Sequence, residues 1–264
     1  MAKIIAIANQ KGGVGKTTTA LSLAQAFAEA GKHTLLVDID PQCNASDTLK
    51  AINANKPNMH DVMHGVCPAS NAVQHTEHKS GLLDCIQSDL LLAKADLEFN
   101  QSFGREHILR KALADVSAQY DYIIIDTPPS LGMLTSNAVT AAHELIIPFG
   151  ADRYSMQGMH QLRETIESAR EYSNPKLRVA GILLTMDKPQ TRLSKETKEI
   201  LADVAHAMGT TVFPVSIRYA EAAKQGAAEQ QNVLEYAPTS TVAQDYRALA
   251  YEIIGLQHEQ GRKR

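Results

Sequence analysis

Tryptophan is absent from the 264-residue chain, and aromatic residues make up only 5% of it. The core must therefore be built from aliphatic side chains. Three cysteines, Cys43, Cys67 and Cys85, stand far apart with no C-x-x-C pair, which argues against a disulfide framework or a zinc cluster and fits a reducing cytoplasm. No apolar run approaches the roughly 20 residues that would span a bilayer, and the stretch Ile4–Ala8 is too short for a signal-peptide core. Positive charge is not in excess: 26 Lys and Arg against 29 Asp and Glu leave a formal net charge of −3. A globally basic nucleic-acid binder is excluded, whereas a local basic patch is not. Internal repeats, low-complexity blocks and linkers are also missing, so residues 1–264 are expected to form a single domain.

What the chain does have is 44% hydrophobic residues arranged in an alternating pattern. Short runs rich in Ile, Val and Leu predict strands at Ile4–Ala8, Thr34–Val37, Leu82–Gln87, Tyr122–Ile125, Leu145–Pro148, Arg178–Leu184 and Thr211–Pro214. Helical periodicity is read over Thr17–Ala30, Arg105–Gln119, Met133–Ala142, Met156–Tyr172, Leu193–Met208 and Val242–Ile254. Most of the strand runs are continuously apolar, as strands covered on both faces must be. The fold class is α/β, with a mostly parallel central sheet flanked by helices in three layers. In the last helix, Val242, Tyr246, Leu249 and Ile253 form a core-facing stripe after Thr241, without the Trp, Phe and dense cations of an interfacial membrane helix. Asn53–Ser80 lacks periodicity and is expected to be a surface insertion; Gly261–Arg264 is a short basic tail.

The strongest motif is Gly12-Gly13-Val14-Gly15-Lys16-Thr17-Thr18, set between the first strand and the first helix. A phosphate chain needs several backbone N–H donors converging on it, and glycines permit the tight path that aims them at a helix N-terminus. Lys16 is expected to supply a point charge to the β and γ phosphates and Thr17 a hydroxyl ligand for Mg²⁺. The strict G-x-x-x-x-G-K-[ST] pattern would have glycine at Gln10; instead a second lysine, Lys11, opens the loop, as in the deviant form of the Walker motif. Asp38 and Asp40 follow the second apolar strand, and Asp126 ends the run Tyr122–Ile125. Open α/β sheets bind ligands at the carboxyl ends of their strands, and an apolar run ending in Asp presents a carboxylate to Mg²⁺ or its waters.

His60 and His64 have H-x-x-x-H spacing, but they fall in the aperiodic stretch and no nearby acidic or cysteine pattern completes a site, so no metal is expected there.

Lys11–Thr19, Val37–Ala45 and Tyr122–Thr135, above all Asp126-Thr127-Pro128-Pro129-Ser130-Leu131-Gly132, resemble the ParA/Soj family of chromosome and plasmid partition ATPases. Weaker similarity through Asn137–Pro148, Gly181–Met186 and Pro214–Glu221 extends the resemblance over nearly the whole chain. It implies a P-loop ATPase that holds ATP and Mg²⁺ with Gly12 to Thr18, with Thr17 on the metal and Asp126 binding it through water. Lys11 would reach the phosphates of the partner in an ATP sandwich homodimer, Asp40 would position the attacking water, and Asp38 would be its neighbour in the first switch.

Pro214 and Ser216 match the family's adenine-contacting stretch, although Val215 and Ser216 replace its Arg and Asn. Non-specific DNA is the implied partner of the ATP-bound dimer, with Arg192, Lys195, Lys198, Arg218 and Lys224 as candidate contacts, and a ParB-like protein would stimulate hydrolysis. The phosphate loop begins about ten residues in, so no N-terminal helix-turn-helix domain is expected. The protein is expected in the cytoplasm on the nucleoid, without stable membrane insertion. A second reading keeps the same nucleotide switch and assigns it to positioning or regulating a protein cargo.

Overall fold

The computed structural model describes residues 1–50, 56–100, 102–150 and 155–255; the basic tail at Gly261–Arg264 lies outside them. From the N-terminus, β1 (Lys3–Ile7) leads into α1 (Lys16–Glu29), β2 (Thr34–Asp38) and α2 (Asn44–Leu49). Two short helices, α3 (Met59–Met63) and α4 (Ala69–Ala72), precede a small hairpin of β3 (Gln74–His75) and β4 (Leu83–Ile86). A 3₁₀ turn at Leu90–Lys94 continues into α5 (Ala95–Glu98), and another at Arg105–His107 into α6 (Ile108–Ala112). Then follow β5 (Tyr122–Asp126), α7 (Met133–Ala141), β6 (Glu144–Gly150), α8 (Ser155–Tyr172), β7 (Arg178–Thr185) and α9 (Arg192–Ala207). The chain closes with α10 (Glu221–Ala228), α11 (Val233–Tyr236) and α12 (Thr241–Ile254).

The seven strands lie in the order β3-β4-β2-β5-β1-β6-β7, all parallel except the edge strand β3. Alternation along each strand sends side chains to opposite faces. Ile4 and Ala6 join Leu35, Val37, Ile123 and Ile125 against α7, α8 and α9, whereas Ile5, Ile7, Leu36 and Ile124 pack on α1 and α12. The expected three layers are thus present, and the α12 stripe of Val242, Tyr246 and Leu249 is buried in the second of these cores. Strand register brings Ile7, Asp38 and Asp126 level at the carboxyl ends of three adjacent strands, which is what positions the site.

Three sequence expectations need correction. Arg105–Gln119 is not one helix: the Asn137 side chain takes the Leu109 N–H (3.0 Å) on Oδ1 and donates Nδ2 to the Arg105 carbonyl (2.9 Å). These are the two groups that an α-helix would have paired with each other. Thr211–Pro214 is not a strand but makes a single parallel bridge, Ile182 to Val212, beside β7, and Pro214 has no N–H with which to extend a ladder.

Nor is Asn53–Ser80, of which residues 53–55 lie outside the described residues, a mere surface insertion from Lys56 onward. Its α3 and α4 bury Met59, Val62, Met63, Ala69 and Ala72, in helices too short to register as periodicity. A capping box between Asn58 and Asp61 starts α3.

Candidate nucleotide site

The loop between β1 and α1 is braced at both ends. Asn9 donates Nδ2 to the Pro148 carbonyl (2.7 Å) and accepts the Lys11 N–H on Oδ1 (3.0 Å), while the Thr185 hydroxyl donates to the Val14 carbonyl (2.9 Å). Below it, Thr127 donates to the Ile7 carbonyl (2.8 Å). Gly13 and Gly15 take φ of 72° and 83°, a left-handed path that a side chain would strain. Gly15 is the N-cap of α1 and no side chain caps it, so the first-turn N–H groups of the helix are left to a ligand.

Lys16 is buried and donates Nζ to the Lys11 carbonyl (2.9 Å). Burial lowers its pKa, and the nearby Asp126 and Asp40 carboxylates partly oppose that. Asp126 is fully buried, and both its carboxylate oxygens lack a hydrogen-bond partner. Burial first, and then the Asp38 carboxylate beside it, push the Asp126 pKa well above its ordinary range. The adjacent Thr17 hydroxyl and Lys16 offset part of the rise.

Asp38, one strand over, is fully engaged: Oδ1 accepts the Asp40 N–H (3.0 Å), and Oδ2 accepts the Ser46 N–H (2.9 Å) and hydroxyl (2.7 Å). Burial dominates these bonds and pushes its pKa up to about 6. Asp40 is also buried; one of its carboxylate oxygens accepts the Gln42 N–H (3.0 Å), and its carbonyl accepts the Ser88 hydroxyl (2.6 Å).

Gly12, Gly13, Gly15, Lys16, Thr17, Thr18 and Asp40 line one cavity of about 430 Å³. Val14, Asp38 and Asp126 lie outside its lining, as does Lys11. The far wall is Thr185, Met186 and Ile217–Ala220, with Val242 and Tyr246 from α12 and Ala223, Lys224 and Ala227 from α10. Pro214 is exposed and outside the lining, and Ser216 donates its hydroxyl to Asp187 Oδ2 (2.7 Å).

Asp187 is a buried hub that sequence reasoning missed. It also accepts Ser194 Oγ (2.5 Å) and Lys198 Nζ (2.8 Å), and its carbonyl accepts the Tyr219 N–H (2.8 Å). Burial opposes its charge, but the bonds from Lys198, Ser194 and Ser216 outweigh burial and hold its pKa below the ordinary carboxylate range. The signal was available in the sequence, since an apolar run from β7 ends at Thr185-Met186-Asp187 much as β5 ends at Asp126.

The five basic candidates are divided. Arg218 and Lys224 face the nucleotide cavity; Arg218 makes a bidentate pair with Asp245 (2.6 and 2.9 Å), and Lys224 donates to the Tyr219 hydroxyl (2.9 Å). Arg192, Lys195 and Lys198 project from α9, where Arg192 pairs with Glu196 (2.6 Å) and Lys198 with Asp187. Lys195 is exposed and has no ion-pair partner among the described residues.

A buried carboxylate with no hydrogen-bond partner is costly unless a cation completes it, and two oxygens of Asp126 beside the Thr17 hydroxyl form a hard-oxygen donor set suited to Mg²⁺. A parallel sheet with a glycine-rich loop on its first strand and carboxylates at the ends of its neighbours defines a P-loop NTPase.

A family model described as AAA domain matches residues 2–179. The chain is 39% identical over 258 residues to the sporulation initiation inhibitor protein Soj of Bacillus subtilis, covering 96% of this chain and 98% of Soj. It is 37% identical over 265 residues to the chromosome partitioning protein ParA of Caulobacter vibrioides, covering 99% and 97%. Among solved structures, cobyrinic acid a,c-diamide synthase of Mycobacterium smegmatis with bound ADP and magnesium superposes with a TM-score of 0.82 at 32% identity, over 96% of this chain and 94% of that one. The chain belongs to the ParA/Soj family of partition ATPases.

Proposed function

We propose that residues 1–264 act as one ParA-type ATPase domain, which dimerises around ATP, binds DNA without sequence preference in that state, and releases it when a ParB-like partner stimulates hydrolysis. One observation carries the reading: Lys16 and Asp40 meet in a single cavity above the partnerless carboxylate of Asp126, in a chain alike along its whole length to partition ATPases.

The glycine-rich loop and the uncapped start of α1 hold the phosphates, and Lys16 supplies fixed positive charge. Thr17 and, through water, Asp126 would hold Mg²⁺, which when bound would supply charge neutralisation at the phosphate oxygens. Asp40 orients the attacking water, its backbone held by Ser88. Lys11 is the group offered to the second subunit, so that assembly and hydrolysis are coupled. Ser216, held by Asp187, sets the wall from Ile217 to Tyr219 against which the base packs. Arg192, Lys195 and Lys198 on α9 and Lys224 on α10 are the exposed members of the DNA-contact set, and the protein works on the nucleoid in the cytoplasm.

Binding of non-specific duplex DNA, measured for the wild type and Asp40→Ala with ATP and with ADP at two salt concentrations, tests this. Binding should require ATP, persist longer in the variant, and weaken steeply with salt because it rests on phosphate contacts. A nucleotide-driven dimer that binds no DNA under any condition would refute the DNA arm and assign the switch to a protein cargo.

A further inference from the structure

We propose that His60, His64 and Glu98 form a binding site for a borderline divalent transition-metal ion of the Zn²⁺ type, separate from the nucleotide cavity. Met59, Val62 and Met63 anchor α3 in the core, so His60 and His64, four residues apart, share its opposite flank with ring centroids 4.3 Å apart. Glu98, the last residue of α5, closes the set from a second element: its Oε2 lies 2.9 Å from His64 Nε2 and 3.8 Å from His60 Nε2.

One ligand atom from each side chain falls within 4.8 Å of the others. A tetrahedral ion with ligands at about 2.0–2.2 Å requires donor separations of about 3.3–3.6 Å, which the two measured distances straddle, so side-chain rotations bring the donors to that spacing.

Two imidazoles and one carboxylate are the wrong donors for Mg²⁺ or Ca²⁺, which take oxygen, and the right ones for Zn²⁺. The surroundings limit the ligands' freedom. The Phe99 ring packs against His64 with centroids 4.7 Å apart and planes tilted by 35°, and Asp61 Oδ1 lies 3.9 Å from His60 Nδ1, near enough for electrostatic attraction but not for a hydrogen bond. The start of α3 is fixed by the Asn58 cap, by the Asn58 amide on Asp89 (2.9 Å) and by the Met59 N–H on the Gln87 carbonyl (2.8 Å). Glu98 has no Lys or Arg partner among the described residues; its carboxylate faces the two imidazoles alone. Side-chain exposures of 20%, 29% and 33% leave the cluster open to solvent, so a water can take the fourth position.

The test is titration of tag-free, chelator-stripped protein with Zn²⁺ against a chromophoric chelator, with Co²⁺ as a spectroscopic probe. The wild type should hold one equivalent more than the His60→Asn/His64→Asn/Glu98→Gln variant, and its Co²⁺ form should show the intense visible bands of a four-coordinate site. Glu98→Gln alone keeps an acceptor for His64, so it should retain the metal-free melting temperature while weakening that equivalent at least tenfold. Equal stoichiometry and affinity in wild type and triple variant, or a wild type that takes no Zn²⁺, would overturn the assignment and leave a hydrogen-bonded His–Glu pair.

Discussion

Asp187→Ala tests how the far wall of the nucleotide cavity is held. The carboxylate is buried and accepts from Ser194, Ser216 and Lys198, tying the start of α9 and the Ser216–Tyr219 segment to the end of β7. Truncation removes three bonds to a charged acceptor, each worth about 1.5–3 kcal/mol when its partner cannot be resolvated. Lys198 is 45% exposed and regains water, so its share is small. Ser194 is buried and Ser216 half-buried, and they bear most of the loss, giving about 2–3 kcal/mol in all.

For a chain of this size that is a drop in melting temperature of about 4–12 °C, read by calorimetry. Because Ile217, Arg218 and Tyr219 follow Ser216 in the wall, ATP affinity measured by fluorescent-nucleotide titration should fall with it. The sign with pH is fixed as well. A folded-state pKa below the ordinary value stabilises above the ordinary carboxylate range and is lost as pH falls through the folded value, so the gap between wild type and variant should shrink on acidification. An unchanged melting temperature and unchanged ATP affinity would refute the hub.

Other perturbations follow from single contacts. Asp126→Asn should stabilise the ligand-free protein while weakening Mg²⁺-dependent ATP binding. The folded-state pKa is raised, so ionisation works against folding as pH climbs from about 4; melting curves at acid and neutral pH should therefore lose stability in the wild type and flatten in the variant. Gly181→Ala would place a Cβ 2.6 and 2.8 Å from the Phe213 ring, an overpacking cost of about 1–3 kcal/mol that a second change, Phe213→Leu, should relieve in the same melting assay. Lys16→Ala should abolish ATP binding by removing the buried cation of the loop, and retained affinity would sink the phosphate-site assignment.

The parallel sheet was legible because covered strands read as unbroken apolar runs, and the phosphate loop because its donors are contiguous in sequence. What could not be read is whatever depends on a side chain arriving from far away. Asn137 interrupts a helical pattern from 28 residues downstream, and Glu98 completes a histidine pair from 34 residues beyond His64. Asp187 takes the Ser216 hydroxyl from 29 residues upstream.

The sharpest case is the pair Asp38 and Asp126. Both end an apolar strand, both are buried, and they sit level on adjacent parallel strands, so the same local signal describes each. Their chemistry diverges because Ser46, at the start of α2, gives its N–H and hydroxyl to Asp38, and the chain turns back so that the Asp40 N–H does the same. Asp126 is followed by Thr127-Pro128-Pro129, where Thr127 spends its hydroxyl on Ile7 and the prolines have no N–H to give. One carboxylate is thereby consumed in holding the loop that carries Asp40, and the other keeps two acceptors open to a cation or its waters. A strand-end aspartate becomes metal-ready through what the next few residues withhold from it, and that rule separates the two positions where the apolar pattern alone does not.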